Sequence, residues 1–379
     1  MKIYSSEHQI FQNSIRKFSE EHILPFTKQW EKSGFFPNEI FHRLGEQGYL
    51  GILIDDALGG VGGDYLLAGA WCEEFGRVPA NGFTIGVNMH SLVITPTLAR
   101  LGSAAAKEKF LADALLGKAI GAYAFTEPGA GSDLTAIQMK AVRDGDYYIL
   151  NGSKIFITNG KRANFVLTLA RTDAAKDYDG YTTFIVDTSL PGFSCTRTLD
   201  KLGWHCSDTA ELNYIDVRVH KDFVLGEVGK GWHQAMDSLQ WERVMLSLTA
   251  LGGARECIRE TVEYVNNRKV FGKSLSSYEN TKEVLTSLST RLKIAEGLCH
   301  STLLKLNKGE RARKESSLCK LITAELAIEI ADRCLQLHGG YGYTTEYPPE
   351  QWLRDLRLNT LGGGTSEIMA RIAWKEMDV

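Results

Sequence analysis

The pair Glu242-Arg243 stands directly before eleven consecutive uncharged residues, Val244 to Ala254. Around it the chain reads Leu239-Gln240-Trp241-Glu242-Arg243-Val244-Met245-Leu246, with apolar side chains on more than one face of a helix. Such a helix belongs in an interior. A carboxylate carried there loses hydration, which it recovers from a partner or answers by giving up its charge. Desolvation also strengthens a carboxylate as a base, from a solution pKa of about 4.3 by up to several units. Glu242 is therefore placed where a general base would be useful, with an ordinary ion pair at a helix edge as the competing reading. Of the rival carboxylates, Asp355 follows Arg354 in the pattern of a structural ion pair, and Glu127 precedes Pro128 where it would hold a loop's shape. Glu367 is the runner-up as base. The nine histidines form no HExxH or HxxxH pattern, so no metal is expected.

The elements that must position these groups fall into three parts. Residues 1–120 read as an N-terminal α-helical domain. Ser6 and Gln9 suit a capping box, and Ile10, Phe11, Ile15, Phe18 and Ile23 form one apolar face before Pro25 stops the run. Pro37 suits the start of a second helix. The run Gly59-Gly60-Val61-Gly62-Gly63-Asp64 fits neither GxGxxG nor a Walker pattern and reads as a turn. Residues 121–226 change to short β-rich runs, which suggest a compact antiparallel sheet or barrel. Among them Asn151-Gly152, between Tyr147–Leu150 and Lys154–Thr158, carries the strongest two-residue hairpin signal. Residues 227–379 return to long helices and read as a C-terminal four-helix bundle. The middle part lacks βαβ alternation, so a nucleotide cofactor would need a geometry other than the Rossmann one.

Composition narrows the class. The chain has 379 residues, 44% hydrophobic and 23% charged, as in ordinary globular enzymes. A net charge of −3, with no dense basic block, argues against nucleic-acid binding. The basic stretch Lys308–Lys314 is interrupted by Glu310 and reads as a solvated turn. Seven cysteines without a CxxC pair suit isolated thiols in a reducing compartment. A charged N-terminus and the lack of a long apolar run point to a cytoplasmic protein with no membrane span.

Five segments carry a resemblance. They are Ala122-Tyr123-Ala124-Phe125-Thr126-Glu127-Pro128-Gly129-Ala130-Gly131-Ser132-Asp133, the stretch Asn151 to Gly160, and Arg268-Lys269-Val270-Phe271-Gly272-Lys273. Gln336-Leu337-His338-Gly339-Gly340-Tyr341-Gly342 with Glu346-Tyr347-Pro348, and Arg354-Asp355 with Gly364-Thr365-Ser366-Glu367, complete the set. In order and spacing, over nearly the whole chain, they resemble the signatures of the acyl-CoA dehydrogenase family, whose three-part α, β, α layout is the one read above. The resemblance implies an FAD-dependent enzyme that removes hydrogens from the α and β carbons of an acyl thioester. It implies that Phe125, Thr126, Gly131 and Ser132 lie along the flavin and its pyrophosphate, with Phe156, Ile157 and Thr158 flanking the ring. Arg268 and Phe271, with Gln336, Gly339 and Gly340, would contact the FAD of a neighbouring subunit in a tetramer of paired dimers. Thr365 and Glu367 would lie on the adenosine side, and Ser132, Ser207 and Arg243 are candidate substrate contacts.

One departure bears on the base. Many members of the family place the catalytic glutamate directly before the final Gly-Thr-Ser, where this chain reads Gly362-Gly363-Gly364. A smaller group, of the isovaleryl and long-chain type, places it on a C-terminal-domain helix just before an arginine. Glu242-Arg243 matches that placement and Gly363 its accompanying glycine. The resemblance further implies that the backbone N–H at Gly363 stabilises the enolate oxygen. The cleared position suits a branched or ring-shaped acyl group. The expected substrate is a branched or longer-chain acyl-CoA, with an aminoacyl thioester such as prolyl on a carrier protein as the alternative. The expected acceptor is an electron-transfer flavoprotein, or dioxygen if the enzyme is an oxidase. A non-catalytic, DNA-binding or scaffold relative is the remaining reading, and the charge balance weighs against it.

Overall fold

A computed structural model describes residues 3–376. The chain opens with α1 (Ser6–His22), α2 (Thr27–Ser33), α3 (Glu39–Glu46), α4 (Tyr65–Phe75), α5 (Asn81–Asn88), α6 (Thr95–Leu101) and α7 (Ala104–Leu115). The capping box of α1 is one residue earlier than the spacing suggested: Ser5 is the cap, and His8 closes the box in place of Gln9. Ile15, Phe18 and Ile23 are buried as expected, but Ile10 is 68% exposed. One residue is about 100° of helix, so Ile10 cannot share the face of its neighbour Phe11. The Gly59–Asp64 run is a turn, and Asp64 caps α4 by accepting from Leu67 N at 2.9 Å.

Seven strands follow: β1 (Gly121–Ala124), β2 (Lys140–Asp144), β3 (Tyr147–Thr158), β4 (Phe165–Arg171), β5 (Tyr181–Asp187), β6 (Phe193–Thr198) and β7 (Thr209–His220). They make one sheet in the order β1-β4-β2-β3-β7-β6, with β5 also on β4. Most pairs are antiparallel, but β4 runs parallel to both β1 and β2. A hairpin at Asn151-Gly152 is not formed. Both residues lie inside the single long strand β3, where Gly152, at φ 149°, takes up a bulge against β7. Asn151 exchanges two hydrogen bonds with Asp216 on β7, which holds the strand straight through its turn-like dipeptide. The tight turn is instead Gly145-Asp146, with Gly145 at φ 61° between paired Asp144 and Tyr147.

The C-terminal helices are α8 (Gly231–Asn267), α9 (Glu279–Asn307), α10 (Arg313–His338), α11 (Pro349–Leu356) and α12 (Ser366–Lys375), with a small hairpin β8 (Lys269–Val270) and β9 (Lys273–Ser274) after α8. The basic stretch is the turn between α9 and α10. Every residue from Val244 to Ala254 is buried. The run must be uncharged because α4 crosses α8 almost backbone to backbone: a Cβ on Gly76 would stand 2.3 Å from Thr249 O, and one on Gly252 2.4 Å from Glu73 O. All seven cysteines are free thiols. Among the described residues no helix is long and apolar enough to cross a membrane.

One irregularity ties the three parts together. Between α5 and α6 the chain winds as a π-helix over Met89–Ile94, a feature that frees carbonyls from the α-ladder. Leu92 O there accepts from Trp241 Nε1 at 3.0 Å, docking α8. His90 Nδ1 accepts from Gly121 N at 3.1 Å, and its Nε2 donates to Ala114 O at 3.0 Å. Burial pushes His90 down to about 4, so the neutral ring offers the one donor and one acceptor that these bonds need. The first residue of β1 is thereby fastened to the helical domain.

Candidate functional site

Glu242 sits at the start of the buried stretch of α8, about three turns from the helix's N-terminus, and is itself only partly covered. Burial pushes its carboxyl up to about 7, against the opposing charges of Arg243 and Lys320. Arg243 is buried, with Nη1 3.4 Å from Ser317 Oγ on α10 and Nε without a partner. Burial lowers its guanidinium to about 10. Across from Glu242 lies the turn before α12. Gly363 has φ +67°, a conformation that costs an L side chain about 1–2 kcal/mol. A Cβ there would stand 2.6 Å from Leu246 Cδ1, 3.8 Å from Glu242 Oε1 and 3.9 Å from Lys320 Cε. Glycine is thus required at 363 by backbone and by space, and the space it leaves is beside the carboxylate.

The second group lies where β1 runs out into the loop of Phe125 to Ser132. Glu127 is the loop's anchor. It accepts from Gln138 N at 2.7 Å, Met139 N at 3.0 Å and Lys154 Nζ at 2.9 Å. Lys154 also donates to Phe125 O at 2.9 Å, and Ile155 N to Thr126 O at 2.9 Å. With its backbone held from beneath, the loop leaves Gly131 and Ser132 exposed. Next to it β3 carries a second bulge, between Lys154 and Ile157. The bulge puts Phe156 at φ 63° and turns its ring outward, 64% exposed. Ile157, expected beside a flavin ring, instead points into the sheet core at 2% exposure, so only its backbone faces the site.

Tyr123 joins the two groups. Its ring packs on Phe125 with centroids 4.1 Å apart. Its hydroxyl is raised by burial, and Glu242 adds to that rise while a hydrogen bond to Ser238 opposes it. Lys320, buried on α10, donates to Gly364 O. Tyr123 was given no role although it stands in the Ala122–Asp133 segment, and Lys320 was not singled out: a tyrosine in a strand and a lysine in a helix carry no signal of their own.

Arg268, Gln336, Gly339 and Gly340 converge elsewhere, around a depression of about 540 Å³ at the C-terminal end of α8. Twenty-six residues separate Arg268 from Glu242, about 39 Å of helix at 1.5 Å per residue. Phe271, at φ 50° on the tip of the β8–β9 hairpin, is 94% exposed. Thr365 caps α12 by accepting from Ile368 N at 3.4 Å, and Glu367 is exposed in the first turn of that helix. Ser207 stands apart from these groups: it is buried, with no partner for its Oγ, beneath Gly82 of α5. Asp355 is fully buried but is not paired with Arg354, which bonds Glu350 instead. It accepts from Trp204 N at 2.6 Å and Asn81 N at 3.3 Å, and burial raises it to about 7.

Two clefts border this region. An apolar one of about 510 Å³ includes Leu92, Val93, Pro96, Thr97 and Trp241. A wider one of about 730 Å³ includes Arg100, Arg311 and Arg313. Tyr65, Arg100, Asp237 and Trp241 line both, so the two are continuous at the residue preceding Glu242.

Comparison with known proteins agrees with this layout. Residues 5–118, 122–217 and 229–377 match the models of the acyl-CoA dehydrogenase N-terminal, middle and C-terminal domains. The chain is 38% identical to the mitochondrial long-chain specific acyl-CoA dehydrogenase of Mus musculus, over 99% of this chain and 87% of that one. It is 36% identical to a 3-(aryl)acrylate reductase of Clostridium sporogenes, over 97% and 98% of the two chains. Of solved structures, an acyl-CoA dehydrogenase from Geobacillus kaustophilus superposes with TM-score 0.96 at 35% identity over the full length of both. A glutaryl-CoA dehydrogenase from Mycobacterium smegmatis in complex with FADH2 does so with TM-score 0.93 at 30% identity, over 98% and 94%. With all three domains matched in order over nearly the whole chain, the chain belongs to the acyl-CoA dehydrogenase family, oxidoreductases that act on the CH–CH bond of an acyl-CoA.

Proposed function

We propose that the chain is an FAD-dependent acyl-CoA dehydrogenase in which Glu242 removes the α-proton of a branched or longer-chain acyl thioester. The observation that carries this reading is Glu242, raised to about 7, with its Oε1 3.8 Å from where a Cβ of Gly363 would stand. A base poised near the working pH combines a usable deprotonated fraction with proton affinity. The backbone N–H of Gly363 is the donor for the thioester oxygen as charge develops on it. The acyl chain occupies the apolar cleft beside Trp241. Arg100, Arg311 and Arg313 in the adjoining cleft suit the phosphates of coenzyme A.

The residues present fit a flavin. Phe156 offers an aromatic face turned outward, and Ser366 Oγ is buried without a partner beside Thr365 and Glu367. Phe125, Thr126, Gly131, Ser132, Thr158 and the backbone of Ile157 would hold it on the middle domain. When bound, FAD supplies the acceptor for the hydride leaving the β-carbon. The patch of Arg268, Phe271, Gln336, Gly339 and Gly340 is too far along α8 to serve the same flavin and belongs to that of a second copy in a homotetramer. An electron-transfer flavoprotein is the natural acceptor.

Anaerobic bleaching of the flavin by a panel of thioesters tests the reading. Glu242→Gln is expected to keep its FAD and to lose bleaching by at least about 10²- to 10⁴-fold; undiminished bleaching sinks the assignment. Straight, branched and aromatic acyl-CoAs, beside prolyl and other carrier-bound aminoacyl groups, rank the substrate. Bleaching only by a carrier-bound aminoacyl group moves the protein to that alternative, and admitting air then separates oxidase from dehydrogenase. The likeness to an arylacrylate reductase supports a second reading, in which the same site runs toward reduction of an α,β-unsaturated thioester. Reoxidation of chemically reduced enzyme by an enoyl- or arylacryloyl-CoA measures that direction.

A further inference from the structure

Glu242 lies on α8 and Gly363 on the turn before α12, and nothing covalent keeps the two in register. A third element, α10, sends one side chain to both. Lys320 is 1% exposed, and a buried ammonium is costly unless it is paired. Yet its Nζ hydrogen-bonds a neutral group, Gly364 O. Its Cε lies 3.9 Å from where a Cβ of Gly363 would be. The charged groups facing it are Glu242 and Arg243 from α8 and Glu367 from α12, all acting through space. Glu242 in turn faces Arg243, Lys320 and, from β1, Tyr123.

We propose that Lys320 is a positioning residue for the dehydrogenation: its ammonium clamps the Gly362–Thr365 turn through the Gly364 carbonyl, and its charge favours the ionised form of Glu242. The assignment rests on Glu242 being the base. The two tasks compete for nothing, because one uses a hydrogen bond and the other the field of the charge. Neutralising the lysine removes a stabiliser of the carboxylate, so the base is protonated up to a higher pH. Breaking the hydrogen bond frees the turn that presents the Gly363 N–H.

The test uses FAD-loaded Lys320→Gln, which keeps a donor but not the charge, Lys320→Met, which keeps neither, and Glu242→Gln alongside. Two quantities are read: the pH profile of anaerobic flavin bleaching, and amide hydrogen exchange over residues 358–367. In Lys320→Gln the acid limb moves to higher pH, so bleaching below neutrality falls at least about two- to threefold while the alkaline plateau stays near that of the parent. Its exchange over 358–367 stays near that of the parent. Lys320→Met adds faster exchange over that segment. An unmoved acid limb in Lys320→Gln overturns the proposal, as does a loss that is equal at every pH, since a merely structural lysine would cause only the latter. Lys320→Gln alone decides if Lys320→Met fails to fold. Persistent bleaching by Glu242→Gln would instead overturn the base, a result read independently of either lysine variant.

Discussion

Lys154 and Lys320 are both buried, and burial brings both down to about 8. Each fastens a loop through a backbone carbonyl, Phe125 O in one case and Gly364 O in the other. They differ in how their charge is met. Lys154 has Glu127 at 2.9 Å, and Glu127 is further held by two backbone N–H groups, so the charges of the pair are spent on each other. Among the described residues Lys320 has no carboxylate in contact, and its field reaches Glu242 and Glu367 across space. A fully paired buried lysine makes a scaffold for a loop. One paired only with a carbonyl leaves charge available to a neighbouring acid.

The largest expected effect separates the two directly. Lys154→Met leaves Glu127 buried without its counter-charge, and breaking such a pair costs about 3–5 kcal/mol. Urea denaturation should show that loss together with poor flavin retention, and the variant's acid limb should not move. A shifted acid limb in Lys154→Met would erase the contrast with Lys320. Next, Gly363→Ala must bear about 1–2 kcal/mol for its positive φ and about 1–3 kcal/mol for displacing Leu246. We expect bleaching slowed by about tenfold or more with FAD content unchanged; parent-like bleaching would show that the turn held by Lys320 is more pliant than its geometry implies.

A third prediction concerns pH. Glu242 is raised in the folded chain, so between its unfolded value near 4.5 and about 7 the native state binds more protons than the unfolded state. Its contribution to stability therefore falls as pH rises through that window. Glu242→Gln should melt a few degrees above the parent at pH 8 and near it at pH 5. Equal melting temperatures at pH 8 would mean that Lys320 and Arg243 fully compensate the carboxylate. The smallest effect is expected for Arg268→Ala, which should weaken FAD retention without touching the acid limb. Unchanged flavin content across dilution would count against a cross-subunit role for that exposed arginine.

Much of the site could be read in advance where the signal was local. The uncharged run after Arg243 announced burial, and burial is what raises Glu242. The three glycines at 362–364 announced a position cleared of side chains, and Gly363 proved to need both its φ and its space. The reading failed where a local signal was overruled across the sheet. Asn151-Gly152 is the best hairpin dipeptide of the chain, but pairing with β7 and the bonds to Asp216 keep it inside β3. The side chain of Ile157 turns into the sheet core, because a bulge one residue earlier gives the outward place to Phe156.

The order of helical, β-rich and helical segments, the buried stretch of α8 and the place of Glu242 at its edge were determined by the sequence itself. Each follows from hydrophobic periodicity or from residues adjacent in the chain, and such patterns act over a few turns or strands. Only the tertiary structure decided which distant groups share a space. Gly363 faces Glu242 across 121 positions of sequence, Tyr123 reaches it from β1, and Lys320 enters from α10 because α8 and α12 both pack on that helix. Electrostatic coupling depends on distance and dielectric, not on sequence separation, so the groups that surround Glu242 became visible only when the helices were brought together.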